Sequence, residues 1–134
     1  MRQTIFLAGN LGRDPELRYT PNGMAMCRLS VATNEKWSGQ DGQLQERTIW
    51  WRVSVWGKQA ENVSQYLKKG SQVFIEGRMD SDPETGGPRL WKGSDGSDRA
   101  SYEIIARVVK FTGQRGGGAS FEPSDKDIPP EAFF

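Results

Sequence analysis

Thr48-Ile49-Trp50-Trp51-Arg52-Val53-Ser54-Val55-Trp56, then Gly57, then Lys58–Lys69, is the stretch on which the fold turns. From Arg47 to Trp56 the residues alternate with the period of a strand. Ile49, Trp51, Val53 and Val55 share one face, and its aliphatic character turns it inward. Trp50, Arg52, Ser54 and Trp56 share the other face. At Lys58 the period changes. Ala60, Val63 and Leu67 fall on one helical face, and the segment closes on Lys68-Lys69-Gly70. That ending places cations at the negative end of a helix and a glycine as its stop, which predicts a helix over Lys58–Lys69.

Strand patterns lie on both sides of this unit. Thr4–Asn10 is a β-branched and apolar run closed by Gly9-Asn10 and Gly12. Glu16–Thr20 is a short extended piece ended by the turn signal Pro21-Asn22-Gly23. In Met26–Glu35, Cys27, Leu29, Val31 and Thr33 alternate with Arg28, Ser30, Ala32 and Asn34. Lys36–Gln45, with Ser38-Gly39 and Asp41-Gly42, reads as a flexible loop. After the helix, Ser71–Met79 and Ser101–Phe111 return to strand. Asp80–Arg99, polar and rich in Gly, Pro and Asp, reads as a long hairpin loop. No internal repeat is present. An all-β chain with one helix between its third and fourth strands fits a five-stranded OB-fold Greek-key barrel. The apolar pattern stops after Gly113. Residues 1–112 are then the barrel domain, 113–124 a Gly-rich flexible linker and 125–134 an acidic tip, linker and tip together forming a disordered tail.

Bulk composition narrows the function. A length of 134 residues is one domain's worth. The chain has no histidine and a single cysteine, Cys27. That removes His-based acid–base catalysis, Ser-His and Cys-His dyads and a zinc site, and no cofactor is expected. Cys27 sits in an alternating apolar run and reads as a buried thiol. No apolar run is long enough to span a bilayer, and the N-terminus lacks a signal peptide's apolar region, so a cytoplasmic, nucleoid-associated protein is expected. The net charge of +1 is unevenly spread: residues 113–134 carry two basic and four acidic side chains, which leaves the body mildly basic.

The outward face of Thr48–Trp56 carries the strongest chemical signal. Two tryptophans flanking an arginine are unusual on a monomer's exterior. Indole rings accept nucleobases of any sequence, and a guanidinium meets phosphate. The alternative is that Trp50 and Trp56 pack under a loop or at a subunit contact. Trp37 follows Lys36 in the first loop, and Trp91 lies between Arg89 and Lys92 in the second. A loop tryptophan is commonly a local apolar anchor, but one bracketed by cations suits a polyanion with π-faces. Lys58, Lys69, Arg18 and Arg28 could extend a basic track, and each alone is also an ordinary surface charge.

The chain resembles the bacterial single-stranded DNA-binding proteins. The matching stretches are Phe6–Glu16, Arg18-Tyr19 with Pro21-Asn22-Gly23, Trp50 with Arg52, Gly57-Lys58 with Ala60-Glu61, Tyr66–Val73, and Ile75-Glu76-Gly77. The resemblance spans about residues 1–112. It implies an OB-fold, a homotetramer and sequence-independent wrapping of single-stranded DNA in replication, recombination and repair. The family's stacking aromatics match Trp37, Trp50, Trp56 and Trp91. Trp56 stands where many relatives have phenylalanine, and Trp51 where some have an interface histidine. Gln72 and Phe74, on the outward face of the fourth strand, add a physical motive for subunit contact. The tip resembles the family's acidic terminus more loosely. Asp125, Asp127, Ile128, Pro129, Phe133 and Phe134 form the expected binding site for replication, recombination and repair proteins, but Lys126 interrupts the acids and Phe133 replaces a proline.

Two other functional classes compete with this reading. A nuclease needs clustered carboxylates around a metal. Asp80, Asp82, Glu84, Asp95 and Asp98 cluster in one loop but lack metal-loop spacing, so no enzymatic activity is expected. A protein-interaction component of a primosome-like assembly is the remaining alternative. The tip and the four tryptophans argue against it.

Overall fold

The computed structural model describes residues 2–111. In chain order the elements are β1 (Ile5–Leu11), β2 (Glu16–Tyr19), β3 (Ala25–Ser38), β4 (Leu44–Trp56), α1 (Lys58–Tyr66), β5 (Gln72–Met79), β6 (Leu90–Lys92), β7 (Asp98–Ala100) and β8 (Tyr102–Phe111). The main sheet runs β1-β5-β8-β4-β3, and a short β1–β3 pairing closes it into a five-stranded barrel. Neighbours are antiparallel except β4 and β8, which run parallel from Trp51↔Tyr102 to Ser54↔Ile105. The expected OB-type barrel with one helix is the architecture found. The linker 113–124 and the tip 125–134 lie outside the described residues.

Alternation fills the barrel. Cys27, Leu29 and Val31 from β3, Val53 and Val55 from β4, Ile75 from β5 and Ile104 and Val109 from β8 are almost fully buried. Ala60, Val63 and Leu67, the predicted helical face, join the same core. Gln59, also fully buried, ties the helix to β8: its Oε1 accepts the Val109 N–H at 2.9 Å and its Nε2 donates to the Arg107 carbonyl at 3.3 Å. Gly57 makes the turn from strand to helix at φ 74°, a left-handed conformation that disfavours any residue with a Cβ.

Three local expectations need correction, and a fourth segment, the short extended piece at Glu16, finds its place. The helix ends at Tyr66, not Lys69. Leu67 turns extended to bury its side chain, and the Ser71 hydroxyl accepts the Lys68 N–H at 3.0 Å. The lysines therefore lie beyond the last turn, and Gly70 at φ 90° serves the following turn. Lys36–Gln45 is not a flexible loop throughout. β3 runs to Ser38 and β4 starts at Leu44, joined by a turn in which Gly39 N–H donates to the Gln43 carbonyl at 2.8 Å. Asp80–Arg99 contains its own small hairpin, β6–β7, with Trp91 paired to Arg99. Glu16–Tyr19 lies outside the barrel's closed ring, as an annex strand along β3.

Candidate nucleic-acid interface

The outward residues of β4 build the site from its register. Ala32 stands opposite Trp50, Ser30 opposite Arg52, Arg28 opposite Ser54 and Met26 opposite Trp56. Small partners at Ala32 and Ser30 leave room above the sheet. Trp50 is 54% exposed. Its indole lies over Gly12, at the corner between β1 and β2.

A groove of about 830 Å³ opens beside Trp50. Trp50, Trp91 and Tyr102 supply its aromatic walls, and Arg13, Arg47 and Arg52 supply cations. No carboxylate lines it among the described residues. The β6–β7 hairpin folds back so that the Arg52 guanidinium sits 5.3 Å from the centre of the Trp91 ring. Ser101 Oγ accepts the Trp91 Nε1–H at 2.7 Å and fixes the ring's orientation. The structure therefore brings Trp91 to Trp50 and Arg52, which lie about forty residues earlier in sequence.

The other expected residues fall elsewhere. Trp56 is half-buried against Val108. Its row across the outward face continues through Met26 to Arg18, with Arg28 in the next row. Arg18 also reaches Glu16 at 3.7 Å. Lys58 opens α1 just after Trp56 and is exposed. Lys69 is exposed, and its N–H donates to Asp14 Oδ1 at 2.8 Å. Trp37 stands on β3 near the hairpin tip, where Glu35, Lys36, Trp37 and Arg47 line a second opening. Alternation places Trp37 on the opposite ribbon face from Trp50, because Trp37 pairs with Gln45 and Trp50 with Ala32.

The cations that bracket Trp91 in sequence are not the ones that touch it. Arg89 Nη2 donates to Asp80 Oδ1 at 3.0 Å, and this bond pushes the guanidinium's pKa further up. Lys92 pairs with Asp98 across the small hairpin. Arg99, from β7, lies 5.8 Å from the Trp91 ring instead. Sequence reading missed Arg13, Arg47, Arg99 and Tyr102. Arg13 sits inside the Phe6–Glu16 stretch that carried the resemblance, and Arg47 opens the predicted strand, so both were within sight. Tyr102 and Arg99 needed the tertiary fold. Trp51, read as an inward residue, is partly buried: its Nε1 donates to Thr33 Oγ1 at 2.9 Å and its ring packs 5.1 Å from Tyr102.

A small barrel with aromatic faces interleaved with guanidinium groups can take a flexible polyanion whose bases are unstacked. The single-strand binding protein family matches residues 2–112, and the chain belongs to that family. Single-stranded DNA-binding proteins from two Neisseria meningitidis strains, of serogroups A and B, are each 46% identical to it over 121 residues. The match covers 88% of this chain and 66% of each relative, so the chain spans somewhat less than two thirds of their length. Among solved structures, a deletion mutant of the Thermus aquaticus single-stranded DNA binding protein aligns with TM-score 0.62 and 28% identity, over 88% of this chain and 53% of that one. A Plasmodium falciparum SSB in complex with ssDNA aligns with TM-score 0.62 and 25% identity, over 78% of this chain and 85% of that one.

Proposed function

We propose that this chain binds single-stranded DNA without sequence preference and protects it during replication, recombination and repair. The observation that carries the reading is the groove in which Trp50 and Trp91 face three arginines and, among the described residues, no carboxylate. Stacking is indifferent to base identity, and guanidinium–phosphate contacts are indifferent to sequence. The groove supplies affinity without a reader of base edges. Quenching of tryptophan fluorescence by oligo-dT, with weak quenching by a duplex of equal length, tests it.

The active form is a homotetramer. Phe6 and Phe74 are 60% and 42% exposed, and their rings lie 5.8 Å apart on the outward face of β1 and β5. An exposed aromatic pair of this kind suits a subunit contact. A monomer mass by light scattering at micromolar concentration would contradict it.

The tip at 125–134 recruits replication, recombination and repair proteins. Its acids suit a basic rim, its prolines limit the entropy lost on docking, and Phe133 and Phe134 offer apolar rings. Deleting Phe133 and Phe134 should abolish capture of those proteins and leave DNA affinity unchanged. The protein acts by binding rather than catalysis and works in the cytoplasm on the nucleoid. No helix of the described residues is long and apolar enough to cross a membrane.

A further inference from the structure

Two stacking surfaces lie on opposite faces of the β3–β4 ribbon, and one side chain reaches both. Arg47 lines the large groove beside Trp50 and also the smaller opening around Trp37. The position explains this reach. β4 has β8 alongside only from Trp51 onward, so at Arg47 the ribbon has a bare edge around which a long side chain can pass.

We propose that Arg47 is a phosphate site at which a single strand passes around the ribbon edge, from a base stacked on Trp50 to a base stacked on Trp37, and that Glu35 competes with the strand for it. The inference rests on the proposed binding of single-stranded DNA and assigns it a path and a built-in competitor. Arg47 and Glu35 are direct cross-strand partners. Arg47 Nη2 lies 3.0 Å from Glu35 Oε2, and the guanidinium carbon lies 5.0 Å from the centre of the Trp37 ring.

The guanidinium is thus parked on the Trp37 ring by a carboxylate of the same face. A base stacking on that side of Trp37 must share or replace this cation. The pair is easily exchanged, because about half or more of each side chain is exposed and exposed pairs are weakly held. A phosphodiester offers Arg47 the same fork-to-oxygen geometry as the carboxylate. Glu35 leaves Arg47 for solvent without unfolding anything, since neither side chain belongs to the core.

The test measures oligo-dT affinity of the full chain at several salt concentrations for wild type, E35Q, R47Q and the double variant. Both residues are exposed, so all four proteins should share one circular-dichroism spectrum. R47Q should bind about tenfold more weakly and lower the slope of log affinity against log salt by about 0.7, the share of one phosphate contact in a single strand. E35Q should bind about threefold to tenfold more tightly. In the R47Q background E35Q should add little, because its effect runs through Arg47. An equal gain from E35Q with and without Arg47 would show Glu35 acting only as a nearby charge, and would overturn the proposal. So would an R47Q slope equal to wild type. Wild type that fails to bind oligo-dT overturns the parent reading instead, whereas wild-type binding with silent variants sinks this inference alone.

Discussion

Trp50 lies so close over Gly12 that a Cβ on Gly12 would stand 2.3 Å from the indole's Cζ3. The contact joins the first corner of the chain to the middle of β4 and seats the platform of the groove. Gly12 cannot gain a side chain without moving the ring. An alanine at position 12 must push the ring off its seat, since the nearest atoms belong to the rigid indole.

G12A should therefore weaken oligo-dT binding by up to about 1–3 kcal/mol, the worth of one base–aromatic stack. Its melting temperature should move little, because the displaced ring is more than half exposed. Isothermal titration beside thermal melting checks both halves. Unchanged affinity would mean that Trp50 stacks equally well from another position.

Trp50→Ala and Trp56→Ala should each cost about 1–3 kcal/mol of binding, but they should differ in stability. Trp50 projects into the groove, whereas Trp56 is half-buried against Val108. Trp56→Ala removes more packing and should lower the denaturation midpoint in urea by more. Equal stability of the two variants would contradict the packing.

Cys27 is buried and its thiol pKa is pushed up from 9.0 to about 12, first by burial and then by the charge of Glu16. The native thiol should resist iodoacetamide at pH 8 and react once the chain is unfolded in urea. Because the folded pKa is the higher one, the thiol's contribution to stability is fully present below about pH 9 and is lost as pH rises toward about 12. Rapid alkylation of the folded protein would refute this.

Gln59→Leu keeps volume but strands the buried Val109 N–H that Gln59 Oε1 accepts. The loss should be about 1–3 kcal/mol, the penalty for one buried unsatisfied group. Urea unfolding of the pair of proteins measures it. Stability equal to wild type would mean that the side chain does not staple α1 to β8.

Much of this was legible in the sequence, and the limits have physical causes. Alternation through Val53 and Val55 and the shift of period at Ala60, Val63 and Leu67 fixed the inward faces, because burial sets period. The outward pairing of Trp50 with Arg52 followed from the same alternation. The company of Trp91 did not. Neighbours along β6 point to opposite faces, so Lys92 could not flank the ring, and the partner Arg52 comes from a strand about forty residues earlier. The reach of β3 to Ser38 was hidden because Glu35, Lys36 and Trp37 belong to a ribbon with no core beneath it. An exposed ribbon carries no apolar alternation to read.

The most direct measurement is a titration of the full chain with poly(dT), followed by tryptophan fluorescence at two salt concentrations, beside a mixed-sequence duplex. The account predicts strong quenching by the single strand, affinity that falls as salt rises, and far weaker binding of the duplex, whose bases are already stacked. Equal affinity for duplex and single strand at moderate salt, or binding of poly(dT) without quenching, would contradict it.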